Sequence, residues 1–365
     1  MERFVTAAIA VFAAAFCSPA QAEILIGGAG PNTGPLAWIG EQMQRGAEMA
    51  VTDINAVGGV LGEQVRLITV DDFCDPEQAV AAAKKLVSEA VIFVDGHYCS
   101  GASIPASEVY EMAGVLQISP ASTNPLLTDQ GRANVFRVIG RDDAQGIVAG
   151  NYLADRWAGK KIAIFHDGTT YGKGLADETR KQLHKRSVHE AVYQAYVPGR
   201  DDYSSETALL QGADIDVLYV GGYHTEVALM ARAARDRGYS LQFVSGDAMA
   251  TEELNLIAGP AVEGILFTFV ADPRQNAEAA PVVDRFRAEN FEPTGYTLHS
   301  YAAVQVWAQA VEKAGSLELK DVIAALHGQE FDTVLGRVDF DEKGDLTTQN
   351  WVWYVWRGGE YVLAE

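Results

Sequence analysis

The sequence predicts an α/β protein made of two successive Rossmann-like units, each a parallel sheet flanked by helices. Three observations carry this. Short apolar, strand-like runs alternate with amphipathic, helix-like segments from Glu23 to Ala314, the pattern of parallel sheets covered on both faces. The alternation restarts after Gly140. About 340 residues follow the N-terminal leader, more than one hydrophobic core usually holds, so two domains are expected.

In the first series, 23–27 reads as a strand and 28–34 as a glycine-rich loop. Residues 40–54 form an amphipathic helix, with Met43, Ala47, Ala50, Val51 and Ile54 near helical spacing. Strands follow at 64–70, 91–94 and 116–118, and helices at 76–89 and 103–112. The second series has helices at 144–157, 172–185, 204–211, 225–237 and 252–257. Its strands lie at 161–165, 191–196, 217–220 and 242–244, followed by an apolar run at 264–270. Helices at 281–289 and 301–314 complete the pattern. Open parallel sheets hold ligands at the carboxyl ends of their strands. The loops that matter are therefore 27–40, 96–103, 120–125, 167–174, 221–225 and 245–251.

The N-terminus carries an export signal. Arg3 precedes an apolar run from Phe4 to Phe16, and Ala20-Gln21-Ala22 has small residues at the two positions a signal peptidase reads. Cleavage after Ala22 is expected, giving a periplasmic product. The apolar run is too short to span a bilayer comfortably; an uncleaved anchor is the alternative. Phe16 is too bulky for Cys17 to be a lipoprotein site. Net charge is −21, which disfavours nucleic acid and anionic lipid surfaces as partners. With Cys17 removed, Cys74 and Cys99 form an even pair in an oxidising compartment, and a disulfide is expected. Closing about 25 residues, it would stabilise by about 3 kcal/mol. Two buried free thiols are the alternative.

The sequence holds no constellation for catalysis. Gly28-Ala-Gly30-Pro-Asn-Thr-Gly34 departs from dinucleotide spacing, and Pro31 lacks the N–H that would cradle phosphate. The seven histidines show no metal-site spacing. His97, His166 and His224 end strands, where polar residues at loop mouths are ordinary. No nucleophile elbow is present. Neither an enzyme, a cofactor nor a metal is expected. The loop mouths instead offer Tyr98, Ser100, Ser122, Thr123, Tyr171, Tyr223 and Asp247. Neutral hydroxyls, one acid and aromatic walls suit holding a zwitterion.

At these loops the sequence resembles the periplasmic leucine/isoleucine/valine-binding proteins of branched-chain amino acid ABC transporters. The stretches that carry the likeness are GPLAWIGEQMQRGAEMAVTDINAVGGVLGE, VDDFCDPEQAVAAAKKLV, DGHYCSGASIPASEVYEMAGVLQISPASTNPLLT, IAIFHDGTTYGKGLAD, YVGGYHTE and VLGRVDFDEKGD. They run through essentially the whole chain beyond the leader. The resemblance implies a type I periplasmic binding protein whose two lobes are joined by a three-stranded hinge. One lobe would hold 23–140 plus 271–345, the other 141–270 plus 346–365. It also implies the Cys74–Cys99 bridge.

The resemblance assigns roles by motif. Ser100 would bind the ligand α-carboxylate, Ala121 would offer backbone, and Thr123 would touch carboxylate or amino group. Tyr223 would close over the amino end, and Asp247 would pair the ammonium. Trp38 and Tyr296 would line the pocket. Three positions depart from the family pattern: Asp247 stands where a longer Glu is usual, Tyr98 where an apolar residue is usual, and Ile39, beside Trp38, where an aromatic is usual. Asp247 and Tyr98 imply a smaller or more polar amino acid, or a γ-amino acid whose amine lies further from its carboxylate. The implied partners are a permease and an ATPase, with the binding protein monomeric. A ligand-sensing module feeding a receptor, or a binder of another solute such as an amide, are the alternatives; Asp247 speaks against ligands without a cationic group.

Overall fold

The computed structural model describes residues 23–364; the leader and its cleavage site lie outside them. The first lobe contains strands β1 (Glu23–Gly30), β2 (Gln64–Asp71), β3 (Phe93–Gly96), β4 (Leu116–Ser119) and β5 (Val135–Arg137). They form an all-parallel sheet in the order β2-β1-β3-β4-β5. Helices α1 (Ala37–Ala56), α2 (Pro76–Ser88), α3 (Ser100–Ala113) and α4 (Leu126–Asp129) connect them.

The second lobe runs α5 (Asp142–Arg156), β6 (Ile162–His166), α6 (Thr170–Lys185), β7 (Val192–Ala195), α7 (Ser204–Gly212), β8 (Val217–Gly221), α8 (His224–Asp236), β9 (Gln242–Ser245), α9 (Glu252–Ala258) and β10 (Leu266–Val270). The chain then returns as α10 (Ala280–Ala288), α11 (Thr297–Ala314), α12 (Leu319–Gly328) and a hairpin, β11 (Phe331–Thr333) with β12 (Gly336–Val338). It ends in β13 (Trp351–Arg357) and β14 (Glu360–Leu363). The second sheet is ordered β14-β13-β10-β9-β8-β6-β7. Its last two strands are antiparallel to their neighbours.

The sequence patterns explain these elements. All residues of β6 and β8 are buried, as expected where helices cover both faces of a parallel sheet. Asp75 caps α2 by accepting from the Glu77 and Gln78 amides at 2.9 Å, ahead of Pro76 at the first helical position. In the first lobe, α11 packs on α1, β3 and β4. Trp307 of α11 is 1% exposed and stacks on Phe93 at 5.2 Å between ring centroids. The returning segment thereby completes the first lobe's core. The disulfide is present, with Cys74 and Cys99 Cα atoms 5.5 Å apart.

Several helices begin earlier than sequence periodicity indicates: α3 at Ser100, α5 at Asp142 and α6 at Thr170. Cys99 and Arg141, which precede α3 and α5, make no side-chain cap, so capping rules do not see those starts. The consequence is functional, because it puts Ser100, Asp142 and Tyr171 into first turns. The sequence reading also leaves β5, α4, α12 and both C-terminal hairpins unassigned. Five of these pieces are three or four residues long, too short for a period to register. β13 pairs with β10, more than 80 positions upstream, which no local pattern encodes.

Three crossover segments join the lobes, and a buried ionic cluster anchors two of them. Arg137, at the end of β5, is fully buried with its Nε 2.6 Å from Asp345 Oδ1. Its Nη1 donates to the Ser122 and Asn124 carbonyls at 2.8 and 3.1 Å, and its Nη2 to the Thr128 hydroxyl at 2.7 Å. Arg141 donates to the other Asp345 oxygen at 2.6 Å. Removing one partner of such a cluster strands a buried charge. Asp345→Ala is expected to destabilise by about 3–5 kcal/mol, read as a lower urea midpoint. Replacing Arg137 and Asp345 together by apolar residues should cost less than Asp345→Ala alone.

Candidate functional site

The carboxyl ends of β3, β4, β6, β8 and β9 face one cleft between the lobes. Four helices point their N-termini into it: α3 at Ser100, α5 at Asp142, α6 at Thr170 and α8 at His224. These ends carry partial positive charge, a natural seat for a carboxylate.

Nine of the ten sequence-expected site residues are buried in this cleft: Tyr98, Ser100, Ala121, Ser122, Thr123, Tyr171, Tyr223, Asp247 and Tyr296 are each at most 9% exposed. Trp38, on the first turn of α1, is 37% exposed and stands outside the buried cluster. The first lobe supplies Tyr98 through Thr123, and Tyr296 from the returning segment; the second supplies Tyr171, Tyr223 and Asp247. Tyr98 packs edge-on against Tyr296 at 5.2 Å and tilted against Tyr223 at 5.8 Å. Tyr223 packs on Tyr171 at 5.2 Å. The aromatic cluster therefore spans both lobes.

Asp247 is the polar centre. Its Oδ1 accepts from the Tyr171 hydroxyl at 2.8 Å and Gln145 Nε2 at 3.0 Å, and its Oδ2 accepts from the Tyr296 hydroxyl at 2.6 Å. Burial raises its pKa, and these three donors oppose the rise. Gly246 makes the arrangement possible. A Cβ there would stand 2.4 Å from Leu175 and 3.0 Å from the Tyr171 hydroxyl oxygen, so only glycine lets the turn approach so closely.

Two residues that sequence reasoning missed belong to the same site. Asp142 is fully buried, with the Thr123 hydroxyl beside its carboxylate. Burial and the nearby Asp247 charge push its pKa well above the ordinary carboxylate range. Its backbone amide donates to the Thr123 carbonyl at 2.9 Å. The Thr123 hydroxyl faces Asp142, and the Tyr98 hydroxyl faces Tyr296. Gln145, one turn along α5, also donates to the Thr268 hydroxyl at 2.9 Å. The available signal was Asp142 and Gln145 three apart on one helix face, but an acid at a helix start reads first as dipole compensation.

The lobes also meet beside this cluster. Asn124 Nδ2 donates to the Thr170 carbonyl at 2.8 Å, and Cys74 Sγ lies 3.7 Å from the Tyr223 hydroxyl oxygen. Among the described residues, no group of three or more His, Cys, Asp or Glu could hold a metal, and no helix is long and apolar enough to cross a membrane.

Two α/β lobes enclosing a buried polar cleft, with the chain crossing three times, define a type I solute-binding protein. Residues 23–360 match the family described as "Periplasmic binding protein", and the chain belongs to that family, whose members bind substrates without transforming them. It is 47% identical over 346 residues to the Leu/Ile/Val-binding protein homolog 1 of Brucella suis, covering 94% of this chain and 93% of that one. It is 40% identical over 351 residues to the leucine-, isoleucine-, valine-, threonine- and alanine-binding protein of Pseudomonas aeruginosa, covering 96% and 94%. Among solved structures, the leucine-binding protein LivK of Thermotoga maritima superposes with a TM-score of 0.87 at 28% identity, covering 94% of this chain and 98% of that one. The isoleucine complex of LivJ from Streptococcus pneumoniae gives 0.84 at 28% identity, covering 94% and 100%. The protein is a periplasmic solute-binding protein.

The buried acid pair has a measurable signature. Asp142 carries a raised folded pKa, so ionising it costs stability increasingly as pH rises from the ordinary carboxylate range through that raised value. Asp142→Asn is expected to stabilise the unliganded protein by about 1–3 kcal/mol near about pH 8, with the gain fading towards about pH 4. Thermal unfolding across that range checks it.

Proposed function

We propose that this protein is the amino-acid-capturing component of an ABC transport system. The observation that carries this reading is the asymmetric acid pair. Asp247 is held by three donors, while Asp142 has the neighbouring Thr123 hydroxyl and the charge of Arg137 to oppose its burial. A ligand ammonium between the two carboxylates offsets the repulsion between these buried acids, which Thr123 and Arg137 relieve only in part at Asp142. The ligand carboxylate then lies at the α3 N-terminus, on the Ser100 hydroxyl and near Thr123, with Tyr223 closing from the opposite lobe. Each such charge-assisted hydrogen bond contributes about 1.5–3 kcal/mol.

In this reading the lobes comprise 23–140 plus 271–345 and 141–270 plus 346–365, and the three crossovers act as a hinge. Ligand binds first to Ser100 and Thr123, and closure brings in Tyr223 and Asp247. Closure is favoured only by the contacts the ligand gains in the closed form. The closed, monomeric protein delivers its amino acid to a membrane permease driven by an ATPase. The names of the relatives above support an amino-acid ligand.

The preferred ligand is a small or polar amino acid, or a γ-amino acid. Tyr98 fills space between Tyr296 and Tyr223, where a branched side chain would otherwise lie. Asp247 is one methylene shorter than glutamate, which leaves room beside the amine.

Titration calorimetry against the twenty amino acids and γ-aminobutyrate tests the reading. A small, polar or γ-amino acid is expected to bind most tightly; leucine as the tightest ligand would remove the size argument. Asp247→Ala should weaken the best ligand by at least about tenfold while the protein stays folded, and unchanged affinity would overturn the ammonium assignment. Tyr98→Leu should shift the leucine-to-alanine affinity ratio towards leucine by about tenfold.

A further inference from the structure

Beneath the ligand-facing turn of the first lobe lies a buried chain of polar groups that the binding reading does not use. His97 is fully buried between β3 and Tyr98. Its Nδ1 is 2.6 Å from Asp72 Oδ2, and its Nε2 is 3.0 Å from the Tyr110 hydroxyl oxygen. Facing a carboxylate, Nδ1 donates; in the neutral ring Nε2 then accepts from Tyr110. Asp72 belongs to the loop after β2, and its other oxygen accepts from the amide of Cys74 at 2.8 Å. Tyr110 belongs to the last turns of α3 and is also fully buried. One imidazole thus joins the disulfide loop, the end of β3 and the far end of the helix whose first residue is Ser100.

The backbone of His97 is tied as heavily as its ring. Its carbonyl accepts from the Ser119 hydroxyl at 2.9 Å and from Ser103 and Ser122 at 3.2 Å. Ser122 also reaches the Tyr98 carbonyl at 2.9 Å. The Ser119 and Ser122 bonds tie 97–103, which holds Ser100, to 119–122, which leads into Thr123. A buried imidazole with both nitrogens engaged holds one ring orientation, and groups that orient others in this way govern affinity without touching the ligand.

We infer that His97, wired between Asp72 and Tyr110, is the positioning residue that sets Ser100 for the ligand's carboxylate. The inference rests on the proposed amino-acid reading. Its consequence is energetic coupling: losing the wire should matter only while the Ser100 hydroxyl is there to be positioned.

A double-mutant cycle tests it, with the tightest binder from the amino-acid panel as probe and thermal unfolding as the control for folding. His97→Gln is expected to weaken binding by about tenfold with Ser100 present, and by less than about twofold in the Ser100→Ala background, because interacting groups are not additive. Tyr110→Phe removes one hydroxyl without changing shape and serves as a second route if His97→Gln does not fold; it should show the same coupling at smaller amplitude. A merely structural role predicts equal losses in both backgrounds, and that result overturns the inference, as does unchanged affinity in both wire variants. A wild-type protein that binds no member of the panel, or a Ser100→Ala protein that binds normally, overturns instead the reading on which the inference rests.

Discussion

The ion pair between Arg137 and Asp345 is the constraint on which the rest of this structure depends. Neither charge reaches solvent to any extent, so each must be paired inside the protein. Arg137 ends the last strand of the first sheet. Asp345 stands where the returning chain leaves that lobe for β13. Their contact therefore joins the first and third crossovers at one point. The same guanidinium holds the Ser122 and Asn124 carbonyls, which shapes the loop carrying Ala121, Ser122 and Thr123. Lobe connection and site geometry share one buried cation.

Around that node the cleft gathers groups that are costly in isolation. Two carboxylates are buried within range of each other, and four tyrosine rings close over them. Tyr98, Tyr171, Tyr223 and Tyr296 all have pKa values raised by burial, so their hydroxyls stay protonated. Two of them donate to Asp247. The arrangement suits a ligand that brings its own cation and whose carboxylate can lie at helix N-termini. Stability lost to burying Asp142 beside Asp247 is the kind of local cost that binding sites carry.

The disulfide and the His97 wire act on the same turn from two sides. Cys99 is flanked by Tyr98 and Ser100, and Cys74 lies against Tyr223 of the opposite lobe. The covalent link restrains the turn where it meets the cleft, and the hydrogen-bonded ring restrains it from below. Both restraints make the first-lobe turn that carries Ser100 a rigid platform.

The alternation of apolar runs, its restart after Gly140 and the two surviving cysteines were enough to read two α/β units and a disulfide, because local periodicity and residue counts carry that information. The loops after strands pointed to Tyr98, Ser100, Ser122, Thr123, Tyr171, Tyr223 and Asp247 as candidates, because parallel sheets put ligands there, and the fold buries all seven. Asp142, Gln145 and the partners of His97 were not legible. A buried acid and an acid that compensates a helix dipole look alike in one dimension. Asp72, His97 and Tyr110 lie on three elements that meet only when the sheet forms. The pairing of β13 with β10 was hidden for the same reason. The sequence by itself determined the periodic elements and the chemistry at their ends. The tertiary structure alone decided which of those polar groups are buried together, because burial and charge interaction depend on distances between segments far apart in the chain.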